Sequence, residues 1–170
     1  STLDFSSEGF DMQKNFLCEL FHEEGLNGDN NPARPIAIVA LIILCSSVLL
    51  FFFQFTKRHV EEIRWKRIIL FSGTISMMLA VFLFTHFHDL LIILSSIFGF
   101  FSIIGIIRAI YKEGFLFPKL LGFICVILLF LNHLFYHLEV YNHYLPLLQK
   151  VTLLVVFIWV IGLNVNMLKQ

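Results

Sequence analysis

The chain has 170 residues, of which 58% are apolar, 14% are charged and 21 are Phe. Soluble domains average roughly 45–50% apolar and about 25% charged, and the mean hydropathy of +0.85 departs the same way. Soluble globular, disordered, coiled-coil and nucleic-acid-binding classes are excluded, because too little polar surface exists to keep such a chain solvated. The expected class is a single all-α helical bundle in a lipid bilayer.

The first 35 residues, Ser1–Pro35, form a polar segment distinct from everything after it. Met12, Phe16, Leu17, Leu20 and Phe21 recur at helical spacing, which predicts a short amphipathic helix from about Asp11 to Glu24. Asp11 suits its N-cap and Gly25 its stop. Such a helix would lie on the membrane surface or cap the bundle mouth; a merely solvated cap stays open. The turn cluster Asn27-Gly28-Asp29-Asn30-Asn31 and the run Pro32-Ala33-Arg34-Pro35 follow, with Pro35 suited to a first helical position.

Residues 36–170 read as the transmembrane bundle. A spanning helix needs ~20 mainly apolar residues. Five segments qualify fully or nearly: about Ile36–Thr56, Ile68–Thr85, Leu90–Ile107, Leu120–Leu138 and Leu147–Leu168. Ser1 is not an initiator Met, so a cleaved signal peptide or an uncleaved first helix is expected before it; the helix, making six spans, is the favoured expectation. Ser95, Gly99, Ser102 and Gly105 mark one small-residue face of the third span, predicting an interior helix packed on a neighbour.

Charge sets an expected orientation. Lys57, Arg58, Arg64, Lys66, Arg67, Arg108, Lys112, Lys119 and Lys169 collect at one end of the spans, against Glu61, Glu62 and Glu113. The other end has Lys14, Arg34 and Lys150 against Asp4, Glu8, Asp11, Glu19, Glu23, Glu24, Asp29, Asp89 and Glu139. Since Lys and Arg stay on the cytoplasmic side, the first segment and the 139–146 loop are expected outside the cytoplasm of a cell membrane, and the carboxyl terminus inside.

Side chains that could carry chemistry are the histidines. His22, His86, His88, His133, His137 and His143 all fall at the acidic end, and only His59 at the basic one. His133 and His137 share a helix face, while His86, His88 and Asp89 occupy a tight turn. Imidazoles with a carboxylate suit zinc, so His86, His88, Asp89, His133 and His137 are the candidate metal ligands. Zinc would support hydrolysis. The paired histidines could instead be haem axial ligands or proton-titrating groups, or all of them a hydrogen-bonded cap with Asn132, Tyr136, Tyr141 and Tyr144. Cys45 and Cys125 lie within spans and Cys18 stands outside them, so no intrachain disulfide is expected. Every Asp, Glu, Lys and Arg lies near a span end, which disfavours a coupled transporter.

Gly9-Phe10-Asp11, Asn15-Phe16-Leu17-Cys18, Asn31-Pro32-Ala33-Arg34-Pro35 and Leu145-Pro146-Leu147-Leu148-Gln149-Lys150 resemble a family of uncharacterised bacterial multi-pass membrane proteins of about six helices. That resemblance implies a fold and no activity. More loosely, Asn132-His133-Leu134-Phe135-Tyr136-His137 is similar to the His-x3-His of the progestin-receptor-like and alkaline-ceramidase hydrolases, which implies zinc. Those proteins have seven helices and a cytoplasmic site. The leading expectation is a structural or binding subunit of a membrane assembly, with lipid and other membrane subunits as partners and no nucleic acid. The alternative is a metal-dependent membrane hydrolase acting on a lipid or lipid-linked substrate at the outer face; its catalytic residues are not identifiable.

Overall fold

The computed structural model describes residues 11, 13–24, 30–112, 116–138 and 143–168, without the side chains of Lys112, His137 and residues 166–168. Met12, Gly25, the 27–29 part of the turn cluster, Tyr141, and the charged residues Asp4, Glu8, Asp29, Glu113, Glu139 and Lys169 therefore lie outside the described residues. Five α-helices follow one another: α1 (Arg34–His59), α2 (Ile63–Val81), α3 (His88–Lys112), α4 (Leu116–His137) and α5 (Leu145–Leu168). A 3-10 turn, Leu17–Phe21, precedes them. Among the described residues there is no strand, only an isolated bridge between Glu24 and Asn30.

Proline punctuates the helix starts. Pro35, Pro118 and Pro146 each fall in the first turn of a helix, where the missing N–H would have had no intrahelical partner. Val60–Glu62 joins α1 to α2 so briefly that the two must run antiparallel. The rest of the register is antiparallel too. Trp65 meets Arg108, Ile69 meets Gly105, and Ser76 meets Ser95 and Gly99 between α2 and α3. Ile107 lies against Gly122 between α3 and α4, and Asn132 bonds Thr152 between α4 and α5. Each helix packs on its chain neighbours, and α5 returns to touch α1.

Close approach at small residues holds these pairs, as expected where lipid removes the apolar driving force between helices. A Cβ on Gly73 would stand 2.5 Å from the Phe52 ring, and one on Gly105 would stand 2.5 Å from Ile69. Serines tie the same seam: Ser76 Oγ donates to the Ser95 carbonyl at 2.8 Å, and Ser102 Oγ to that of Ile69 at 3.3 Å. The small-residue face of α3 is thus a packing face. Its opposite face, with Ile97, Phe100, Phe101 and Ile104 exposed, corrects the expectation of an enclosed interior helix.

The buried apolar cluster sits toward one end. Phe51, Phe52, Phe55 and Val60 meet Ile69, Ile106, Ile110, Cys125, Trp159 and Leu163, all in the half of the bundle nearer the α1–α2 connection. Trp159 Nε1 donates to the Pro118 carbonyl at 2.8 Å, so the buried indole keeps a partner. The apolar core thus lies toward this basic end; the end that carries Leu17–Phe21 is here the cap end.

Four helices, α1, α3, α4 and α5, are long and apolar enough to cross a membrane. The chain is accordingly a multi-pass membrane protein. The expected fifth span is corrected in α2, whose helix begins at Ile63 and ends at Val81. Arg64, Lys66 and Arg67 occupy its start, and the uncharged remainder rises only ~21 Å against a hydrocarbon core of ~30 Å. A sixth span is not among the described elements. The amphipathic helix expected over Asp11–Glu24 is also corrected, to the five-residue 3-10 turn.

Candidate functional site

The cap end is assembled mainly from side chains that bond backbone, with one ion pair among them. Asn15, only 5% exposed, organises it. Its Oδ1 accepts the Asp11 N–H at 2.7 Å, its Nδ2 donates to Glu19 at 2.6 Å, and its carbonyl accepts Lys150 Nζ at 2.5 Å. Asp11 Oδ1 in turn accepts the Gln13 N–H at 2.7 Å. These local side-chain bonds compete with the helical ladder, which is why an apolar pattern of helical period yields only a short 3-10 turn.

Two helices receive that turn. From α5, Gln149 Oε1 accepts the Leu17 N–H at 3.2 Å, beside the Lys150 contact. From the start of α1, Arg34 Nε donates to the Phe21 carbonyl at 3.0 Å and its guanidinium pairs with Glu23 at 2.9 Å. Asn31 Nδ2 adds bonds to the Leu20 and His22 carbonyls, both 3.2 Å. Helix α1 rises ~39 Å and α2 only ~28 Å, so α1 overhangs its partner at this end. The turn packs on α1 and α5 there.

The histidines are distributed through this end without forming a shared site among the described residues. His88 opens α3, and its Nδ1 lies 2.6 Å from the Leu83 carbonyl, pinning the α2–α3 turn. His86 is exposed in that turn, and His133 is half-buried on α4. The side chain of His137 lies outside the described residues. Asp89 reaches α4 through a hydrogen bond from the Tyr136 hydroxyl, so the start of α3 and the end of α4 do converge. Among the described residues, no three His, Cys, Asp or Glu side chains are grouped to hold a metal ion. The zinc expectation for His86, His88, Asp89, His133 and His137 therefore finds no support. His88 meets a backbone carbonyl and Asp89 accepts from a phenol.

Cys18 stands in the same neighbourhood. Burial pushes its thiol up to about 11, with the Glu19 carboxylate and then Asp89 adding to the effect. The thiol is therefore neutral and a poor nucleophile. Cys18, Cys45 and Cys125 are all free, as the expectation of no intrachain disulfide requires. His143 stands edge-on to the Tyr144 ring at 5.4 Å.

Asn15, Gln149 and Lys150 were not legible as members of one site. The available signal was Gln149-Lys150, a polar pair inside the first turns of an otherwise apolar helix. Comparison with protein-family models, curated proteins and solved structures finds no match for this chain.

Proposed function

We propose that the protein is a non-catalytic binding or structural subunit of a membrane assembly, with its cap end outside the cytoplasm and its basic end within it. The observation that carries this reading is the flank of α1. No residue from Arg34 to Leu44 is buried, although α1 has the highest hydropathy of the four spans. Ala40 and Ser47, seven residues apart, share an exposed face together with Ile36 and Ile43. Small side chains on an exposed apolar face allow another helix to approach closely in lipid. The polar groups of the cap meanwhile serve one another and the backbone, as a fastening would.

The orientation rests on the nine cations gathered at one end of the helices, a bias that follows the cytoplasmic retention of Lys and Arg. The resemblance to a bacterial multi-pass family fits a cell-membrane location. Mass measurement of the protein extracted from its native membrane in mild detergent tests the functional reading. The expected result is a particle containing additional polypeptide beyond the 19.8 kDa chain. An isolated chain carrying stoichiometric zinc, lost on His133→Ala, would overturn it in favour of the metal-dependent hydrolase.

A further inference from the structure

At the basic end, the close of α1, the start of α2 and the last turns of α3 surround a pocket of about 200 Å³. Two guanidinium groups from different helices line it, Arg58 and Arg108, together with Trp65, Glu61 and Glu62. Arg108 lies over the Trp65 ring, 5.0 Å from its centroid. A cation–π contact of this kind holds the guanidinium in place without using up its N–H donors. Among the described residues, no carboxylate forms an ion pair with Arg108. The two glutamates balance the two arginines in the lining itself. Lys57, Arg64, Lys66 and Arg67, within two residues of lining residues along the chain, then make the local field positive.

Depth and approach say what such a pocket meets. The spans of α1 and α3 end at His59 and Tyr111, so the pocket lies where headgroups lie. From Arg108 an apolar lane runs down α3 at helical spacing: Ile104, Phe101 and Ile97 are all exposed. Acyl chains laid along that lane bring a headgroup phosphate to the guanidinium edge. We propose that this pocket binds the phosphate of an acidic phospholipid, with Arg108, oriented by Trp65, as its principal donor and Arg58 as the second. Basic pockets between helices on the cytoplasmic side are suited to such headgroups.

The test uses the full chain in mild detergent, titrated with phosphatidylglycerol or phosphatidylcholine carrying brominated acyl chains, with tryptophan quenching as the readout. Phosphatidylglycerol is expected to bind at least ~10-fold more tightly than phosphatidylcholine, and Arg108→Gln to weaken it by roughly tenfold. Arg58→Gln, on the exposed end of α1, is expected to weaken it as well and keeps the test informative if the first variant unfolds. Lys119→Gln, whose ammonium lies over Tyr111 at 4.7 Å and outside the pocket, is expected to bind as the unchanged protein does. Equal binding of the two lipids, or equal loss with Lys119→Gln, would overturn the proposal. Displacement of phosphatidylglycerol by millimolar inorganic phosphate alone would also overturn it, reassigning the pocket to a soluble anion.

Discussion

Asn15 ties Asp11 to Glu19 through its side chain while its carbonyl receives Lys150, and its burial leaves no water to replace the two side-chain bonds. Asn15→Ala should therefore lower stability by about 1–3 kcal/mol, the cost of leaving buried groups unsatisfied. A falling melting temperature in detergent would show it, and an unchanged one would mean that the cap is not coupled to the bundle. Cys18 gives a second prediction from its burial. A thiol titrating at about 11 instead of the ordinary 9.0 holds ~100-fold less thiolate near neutral pH. Alkylation should be slow at pH 8, rise about tenfold per pH unit up to about 11, and become fast on unfolding. Because the folded protein favours the neutral thiol, its stabilising contribution is complete below about pH 9 and declines as pH rises toward 11. Rapid labelling of the native protein at pH 7 would contradict this.

Between elements, the decisive contacts are those where a helix backbone meets a rigid side chain. A methyl group at Gly73 collides with the Phe52 ring, whereas one at Gly162 meets nothing within 4 Å. Gly73→Ala should cost about 1–3 kcal/mol through overpacking. Gly162→Ala should be neutral or stabilise by up to about 1 kcal/mol, because alanine favours helix. Similar melting temperatures for the two variants would deny that α1 and α2 meet at this point. On α3, Gly99→Leu should destabilise clearly more than Ile93→Leu, since the Gly99 position faces Ser76 Oγ at 3.1 Å. The five-span expectation failed at α2 for a reason of the same scale. Periodicity and hydropathy marked Ile68–Thr85, but the helix incorporates Arg64, Lys66 and Arg67 and stops at Val81.

For the molecule as a whole, the ends differ in kind. The basic end has the apolar cluster and two cation–ring contacts, while the cap end has hydrogen bonds that tie a separate segment across α1 and α5. The proposed orientation is open to a direct measurement with single cysteines in a cysteine-free background. A membrane-impermeant reagent on intact cells should label Gln13→Cys and spare Glu61→Cys. The reverse pattern would invert the topology while leaving the fold untouched.

Class and helix count were legible in the sequence, because a bilayer demands long apolar segments and internal satisfaction of the backbone. Pro35 placed the start of α1, and the small residues of α3 disclosed its packing face. These are local properties, readable within a few turns of chain. The sites were decided by separations that no local pattern encodes. Lys150 meets Asn15 across 135 residues, Leu17 meets Gln149 across 132, and Asp89 at the start of α3 accepts from Tyr136 near the end of α4. Sharing a membrane depth does not by itself bring side chains within bonding distance of one another, and among the described residues no metal-holding group forms. Which partner each polar group takes depends on how the helices are ordered around the bundle, and only the folded chain sets that order.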